Sequence, residues 1–188
     1  MVGYRMIGAC LVLLSLLGCQ QRHQEETSWN PVLEPTDFIY LDDTLARGLE
    51  QIELTQEHIH AGDRDATRQN LLACRRSLLE LRHYFVPLTQ VRQLVYDAGR
   101  LYALHRVDAA RANLLQAGKV MAEVGNSADG PLQKTTGEVE IMIDRLLLAL
   151  DQSPGDVPEL LESLGHKINM LALKGDLVLA GVRFAEEQ

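Results

Sequence analysis

"DATRQNLLAC" at residues 65–74 and "DAARANLLQA" at residues 108–117 are two versions of one pattern, 43 residues apart, and this repeat predicts the fold. The Asp, Ala, Arg, Asn, Leu and Leu of the two stretches have identical spacing. Apolar residues continue beyond each stretch at steps of three and four, which is typical of an amphipathic helix with one buried side.

A second helix is predicted before each stretch. Apolar residues of the same period end at the turn residue Gly62, and a looser copy of them follows in the second unit. Each unit is therefore expected to be an antiparallel αα-hairpin. Pro87 lies between the units, and we expect a boundary there because proline is costly inside a helix. The equivalent apolar positions are Leu45, Ile52, Ile59, Leu71, Cys74, Leu78 and Leu81 in the first unit and Leu88, Val95, Tyr102, Leu114, Ala117, Met121 and Val124 in the second.

Helical periodicity resumes after a polar, turn-rich loop at residues 126–131. It predicts one helix around residues 139–150 and a last one around 157–178, and no alternating strand pattern is present. We therefore predict an all-α helical bundle of about six helices in tandem antiparallel hairpins. Two hairpins alone would leave apolar faces uncovered, so the third pair is needed to cover them. The predicted bounds are about 41–85 and 88–125 for the repeat hairpins and about 132–188 for the C-terminal pair, within a helical domain at 37–188.

The N-terminal segment has the composition of an export signal. Arg5 precedes an apolar run at residues 6–17, which is shorter than the roughly 20 residues of a membrane-spanning helix. The run ends in Leu16-Leu17-Gly18-Cys19, which resembles the lipobox of bacterial lipoproteins. A plain secretory signal, with the cysteine incidental, is the alternative.

The lipobox resemblance implies a specific processing of the chain. The signal peptidase would recognise Leu16, Leu17 and Gly18 and cut before Cys19, whose thiol would carry diacylglycerol and whose new N-terminus would carry a further acyl chain such as palmitate. Residues 1–18 are then a signal peptide and 19–36 an acylated cysteine with a flexible, polar tether. Gln20 is not the aspartate that retains such proteins in the inner membrane, so the outer membrane facing the periplasm is expected.

The charge and the cysteine content argue against nucleic-acid binding and against a disulfide-stabilised domain. The formal net charge is −8, and loss of residues 1–18 with Arg5 would make it −9, so nucleic acid is not an expected partner. Of the three cysteines, Cys10 leaves with the signal and Cys19 is acylated, so no disulfide is expected within the domain. We expect Cys74 to be a small core residue.

The repeat units also resemble a known family. Gly62-Asp63 is followed by Val86-Pro87 and then by "HRVDAARANLLQAG". This order resembles the YfdX family of exported bacterial helical proteins over residues 43–124, and it implies a stress-linked periplasmic helical protein with no assigned reaction. More remotely, Gly62-Asp63 with Ala66 resembles the second helix of tetratricopeptide-type repeats, although their 34-residue period is absent.

No catalytic, cofactor or metal site is predicted, and we do not expect an enzyme. His58 and His60 are two residues apart on a helix, so their side chains point in different directions. The sequence contains no glycine-rich phosphate loop, no Cys-x-x-Cys motif and no serine-centred elbow.

These observations predict a membrane-anchored, non-catalytic lipoprotein that binds or scaffolds an envelope protein or peptide. The membrane is contacted through the N-terminal acyl chains. The alternative is a small-ligand or metal carrier with a site inside the helical bundle that uses His105, Tyr102, Cys74 or Met121.

Overall fold

The computed structural model describes residues 39–185, and it confirms the predicted all-α fold. These residues form seven α-helices and no β-strand. The α-helices are α1 (Ile39–Ala61), α2 (Arg64–Glu80), α3 (Val86–Ala103), α4 (Val107–Asn126), α5 (Pro131–Gln152), α6 (Val157–Leu173) and the short α7 (Gly175–Leu179). A π-helical turn, Leu81–Phe85, joins α2 to α3, and a 3₁₀ turn, Pro154–Asp156, precedes α6.

Helices α3 to α6 form a closed four-helix bundle. Contacts join α3 to α4, α4 to α5, α5 to α6 and α6 back to α3, so each helix has two neighbours. Burying a leucine, isoleucine or valine side chain stabilises a fold by about 1.5–3 kcal/mol, so this core contributes strongly to the stability of the described residues. Its innermost apolar side chains include Val91, Leu114, Met121, Val139, Ile143, Leu146, Leu164 and Ile168.

Helices α1 and α2 form a separate hairpin, whose tip is built from two residues. Gly62 has a φ of 75°, a conformation that glycine adopts without the steric cost of a side chain. Asp63 caps α2, since its Oδ1 accepts a hydrogen bond from the backbone N–H of Ala66 at 3.0 Å. Helix α1 packs chiefly on α2 and also reaches the π-helical turn.

The hairpin extends beyond the bundle because α2 and α3 are parts of one rod. Helical structure is unbroken over residues 64–103, which corresponds to about 60 Å at 1.5 Å per residue. Helix α4, with 20 residues, spans only about 30 Å. The part of the rod that carries α1 therefore lies outside the bundle.

The two repeat units meet near Pro87 without a loop between them, and the π-helical turn provides the physical reason. Pro87 lies in the first turn of α3 with no loop before it. Proline has no N–H, and its ring presses on the carbonyl four residues earlier, here that of His83. The preceding turn is widened, with the Val86 N–H donating to the carbonyl of Leu81 five residues back, so the helix continues past the proline.

The C-terminal segment fastens the rod to the bundle at this turn. The ring of Phe184 is buried and stacks on His83 with centroids 5.5 Å apart. The guanidinium of Arg76 lies 5.0 Å from the centre of the same ring and donates to the Leu179 carbonyl at 3.2 Å. Side chains from α2, the π-helical turn and the chain's end therefore meet at one point.

Tyr84 makes the second link at this junction. Its hydroxyl donates to the Leu171 carbonyl in α6 at 2.8 Å, and its ring packs edge-on against Phe85. Burial raises the pKa of the Tyr84 phenol well above its ordinary value, because the charged phenolate would lose its hydration.

We predict that Tyr84→Phe lowers the free energy of unfolding by about 1–2 kcal/mol, since a buried carbonyl loses its donor. The parent protein should also lose stability above about pH 10, where the unfolded tyrosine releases a proton that the folded one retains. Urea unfolding across pH 8–11 measures both effects. The variant should show a smaller alkaline loss than the parent, and identical pH slopes would contradict the prediction.

Candidate functional site

An apolar surface on the α1–α2 hairpin is the strongest candidate site. It consists of large side chains that face solvent in the described part of the chain. Ile59 of α1 and Leu71 of α2 border the same groove, of about 520 Å³, near the hairpin tip. We call this surface the open face, and its residues are Leu45, Leu49, Ile52, Ile59, Leu71 and Leu78.

The repeat shows that the open face is the equivalent of a core surface. Four of its residues are 43–53% exposed, whereas their counterparts one repeat later are 1–4% exposed. The matched positions are Leu45 and Leu88, Ile52 and Val95, Leu71 and Leu114, and Leu78 and Met121.

The third helix pair causes this difference in exposure between the two hairpins. Helices α5 and α6 pack on α4 and α3, and they cover the apolar side of the second hairpin. The first hairpin has no such layer within the described residues. The expectation that the third pair covers the apolar faces of both hairpins therefore holds for one hairpin only.

Small and polar residues hold the hairpin together. Thr44, Gly48 and Thr55 of α1 are buried, as are Cys74 and Ser77 of α2. A Cβ added to Gly48 would lie 3.7 Å from the Cβ of Ser77, which shows how closely the helices approach. Because these buried positions hold small side chains, the large apolar residues of the open face remain on the side that faces solvent.

Opposite charges lie within and beside the open face, since Arg75 has the repeat position of Gly118, which faces Ile143 of α5 in the second hairpin. Arg64, Arg68 and Arg75 of α2 line the same groove as Leu71. Glu53 follows Leu49 by four residues on α1, so it lies one turn along the same strip. Helix α1 as a whole is acidic and α2 is basic: α1 carries Asp42, Asp43, Glu50, Glu53 and Glu57 with Arg47, and α2 carries Arg64, Arg68, Arg75 and Arg76 with Asp65 and Glu80.

The residues predicted from the lipobox lie outside the described part of the chain. They are Cys19, the proposed lipidation site, and Leu16, Leu17 and Gly18, the proposed peptidase recognition residues. Among the helices that are described, none has both the length and the apolar composition needed to cross a membrane.

The structure does not bring together the residues of the alternative ligand or metal site. Tyr102 and His105 lie at the α3–α4 turn, where the Tyr102 hydroxyl donates to the Pro154 carbonyl at 2.6 Å. Met121 lies about 21 Å along α4 from that turn, and Cys74 lies in the α1–α2 hairpin. Between residues 39 and 185 there is no group of three or more His, Cys, Asp or Glu side chains arranged to hold a metal ion.

The sequence alone does not reveal the open face, because its residues occupy positions that are predicted to be in the core. Its leucines and isoleucines have the same spacing as those of the second hairpin, so their pattern alone indicates burial. The available signal was a count of layers: within residues 39–185, the two repeat hairpins are followed by a single further long helix pair. A single helix pair can cover the apolar face of only one hairpin, so the other face is left exposed.

Comparison of the chain with protein-family models, with curated proteins and with solved structures found no match.

Alanine substitution at one matched pair tests the assignment of the open face. At a concentration where light scattering shows a monomer, we predict that Leu114→Ala lowers the free energy of unfolding by about 2–5 kcal/mol, because it leaves a cavity in the core. Leu71→Ala should cost less than about 1 kcal/mol, because its side chain already faces water. Urea denaturation measures both, and equal costs in the monomer would contradict the assignment.

Proposed function

We infer that this protein is a lipid-anchored envelope protein that binds or scaffolds a protein partner without catalysing a reaction. The observation that supports this role is the open face. Contiguous apolar surface is rare on monomeric soluble proteins and commonly marks a binding site. A two-helix surface with apolar residues at helical spacing is suited to an amphipathic helical partner.

The N-terminal segment supports the location. Acylation of Cys19 would attach the chain to a membrane, and two or more acyl chains bind far more firmly than one because each buried CH₂ contributes about 0.8 kcal/mol. Gln20 favours the outer membrane, with the helical domain in the periplasm. A flexible tether at residues 19–36 would have an end-to-end distance of about 23 Å, which allows the domain to meet partners near the membrane.

A carrier of a small ligand or metal is the alternative function, and no observation favours it over binding of a partner. Its four proposed residues lie in three separate places, as described above. A role in the response to envelope stress rests on the resemblance to the YfdX family alone.

We predict that Cys19→Ser abolishes incorporation of radiolabelled palmitate and moves the protein from the membrane fraction to the soluble fraction. The serine hydroxyl cannot replace the thiol in forming the thioether. Cys74→Ser, at a buried thiol in the hairpin, is the matched control and should remain labelled and membrane-bound. A Cys19→Ser protein that keeps its label and its membrane location would contradict the proposed anchor.

The binding role predicts a partner that depends on the open face. We expect Leu71→Glu to lose the partner of the full-length protein when complexes are captured from envelopes, because a strongly hydrated carboxylate would replace an apolar side chain in the interface. Leu148→Glu alters a leucine of similar exposure on α5, outside the open face, and should retain the partner. Equal capture by both variants would show that the open face is not the binding surface.

A further inference from the structure

We propose that the open face is covered by a second copy of this chain, so that two α1–α2 hairpins form an intermolecular four-helix bundle. The proposal rests on the proposed function in one respect, namely that the open face is a docking surface, and it identifies the partner as the protein itself.

The chain's own second repeat shows what covers such a face. The α3–α4 hairpin, with apolar residues at equivalent positions, buries them against another antiparallel hairpin, α5–α6. The α1–α2 hairpin has the same spacing and needs the same kind of cover. A second α1–α2 hairpin provides it, because it is an antiparallel pair of amphipathic helices with leucine and isoleucine on one side.

Charge selects the arrangement of the two copies. Two-fold symmetry permits α1 to lie against either α1 or α2 of the other copy when the hairpins pack face to face. The acidic helix α1 would repel a second α1, whereas the arginines of α2 attract it. The favoured arrangement places α1 against the partner's α2, with the two-fold axis parallel to the helices.

That arrangement has a consequence for the ends of the hairpins. A two-fold axis parallel to the helices keeps both hairpin tips at one end of the dimer and both starts of α1 at the other. The two chains therefore continue toward residue 38 from the same side. This geometry is compatible with attachment of both copies to one membrane.

The size of the face is sufficient for a specific interface. Over the 17 residues of α2, the hairpin presents two helices about 26 Å long and about 10 Å wide, which is roughly 500 Å² on each copy. The two copies together would bury about 1,000 Å², which is where specific protein–protein interfaces begin.

Photo-crosslinking of the full-length protein tests the proposal in intact bacteria. Two copies with different epitope tags are co-expressed, one of them with Leu71→p-benzoylphenylalanine. Irradiation should give a band of twice the chain's mass that contains both tags. Fragment analysis should place the crosslink in α1 of the other copy, close to Ile52, which lies at the level of Leu71 in the proposed arrangement. The same probe at Leu148, on α5, is the control and should give no such band.

The other outcomes separate this proposal from the proposed function. A Leu71-dependent band that contains a different envelope protein would overturn the second copy as partner and leave the binding role intact. A product with the mass of one chain, crosslinked to residues before 39, would show that the chain's own N-terminal segment covers the face. A Leu71 probe that gives no more product than Leu148 would overturn both the dimer and the docking surface.

A charge exchange tests the arrangement separately. Glu53→Arg should weaken the dimer band by about two- to fivefold, because it replaces an attraction to the partner's arginines with a repulsion. Adding Arg68→Glu to the same chain should restore the band, since the two charges are then exchanged across the interface. Both residues are exposed, so folding of the monomer should not change. Failure of Arg68→Glu to restore the band would overturn the pairing of α1 with the partner's α2.

Discussion

The structure depends on one constraint: an apolar hairpin face stays out of water only if another layer packs on it. Residues 39–185 contain two hairpins of the same repeat and one further long helix pair, α5–α6. That pair closes a four-helix bundle with the second hairpin. The first hairpin keeps the same apolar spacing without the layer. The contrast between Leu71 and Leu114, which share a repeat position, is therefore a contrast in neighbours and not in residue type.

The α1–α2 hairpin and the four-helix bundle are nevertheless joined without a flexible linker. The rod formed by α2, the π-helical turn and α3 has no loop, and the C-terminal segment closes over the turn. The Phe184 ring contacts both His83 and the guanidinium of Arg76, and the Tyr84 hydroxyl donates a hydrogen bond to α6. Thermal motion of the hairpin is therefore expected to be bending of a rod, and not the swing of a domain on a flexible linker.

The fold class could be predicted from the sequence because helical spacing and turn residues agree locally. Gly62-Asp63 ends one helix and caps the next, as the structure shows. Two features could not be read in this way. Proline normally predicts a break in a helix, but no break occurs at Pro87. The widened turn before it provides another hydrogen bond for the backbone, from the Val86 N–H to the Leu81 carbonyl. Which hairpin is covered depends on contacts between distant residues, which the identical spacing of Leu71 and Leu114 does not reveal. The lipobox prediction concerns processing chemistry and does not depend on the fold.

The π-helical turn also determines the direction in which the hairpin faces. A residue added to an α-helix rotates everything beyond it by about 100° around the axis, and a π-helical turn holds such an additional residue. The additional residue at Leu81–Phe85 thus determines how far the hairpin is rotated, about the axis of the rod, relative to the bundle. Evolution could redirect the same leucines toward a different neighbour by deleting one residue there, with every side chain of the hairpin unchanged.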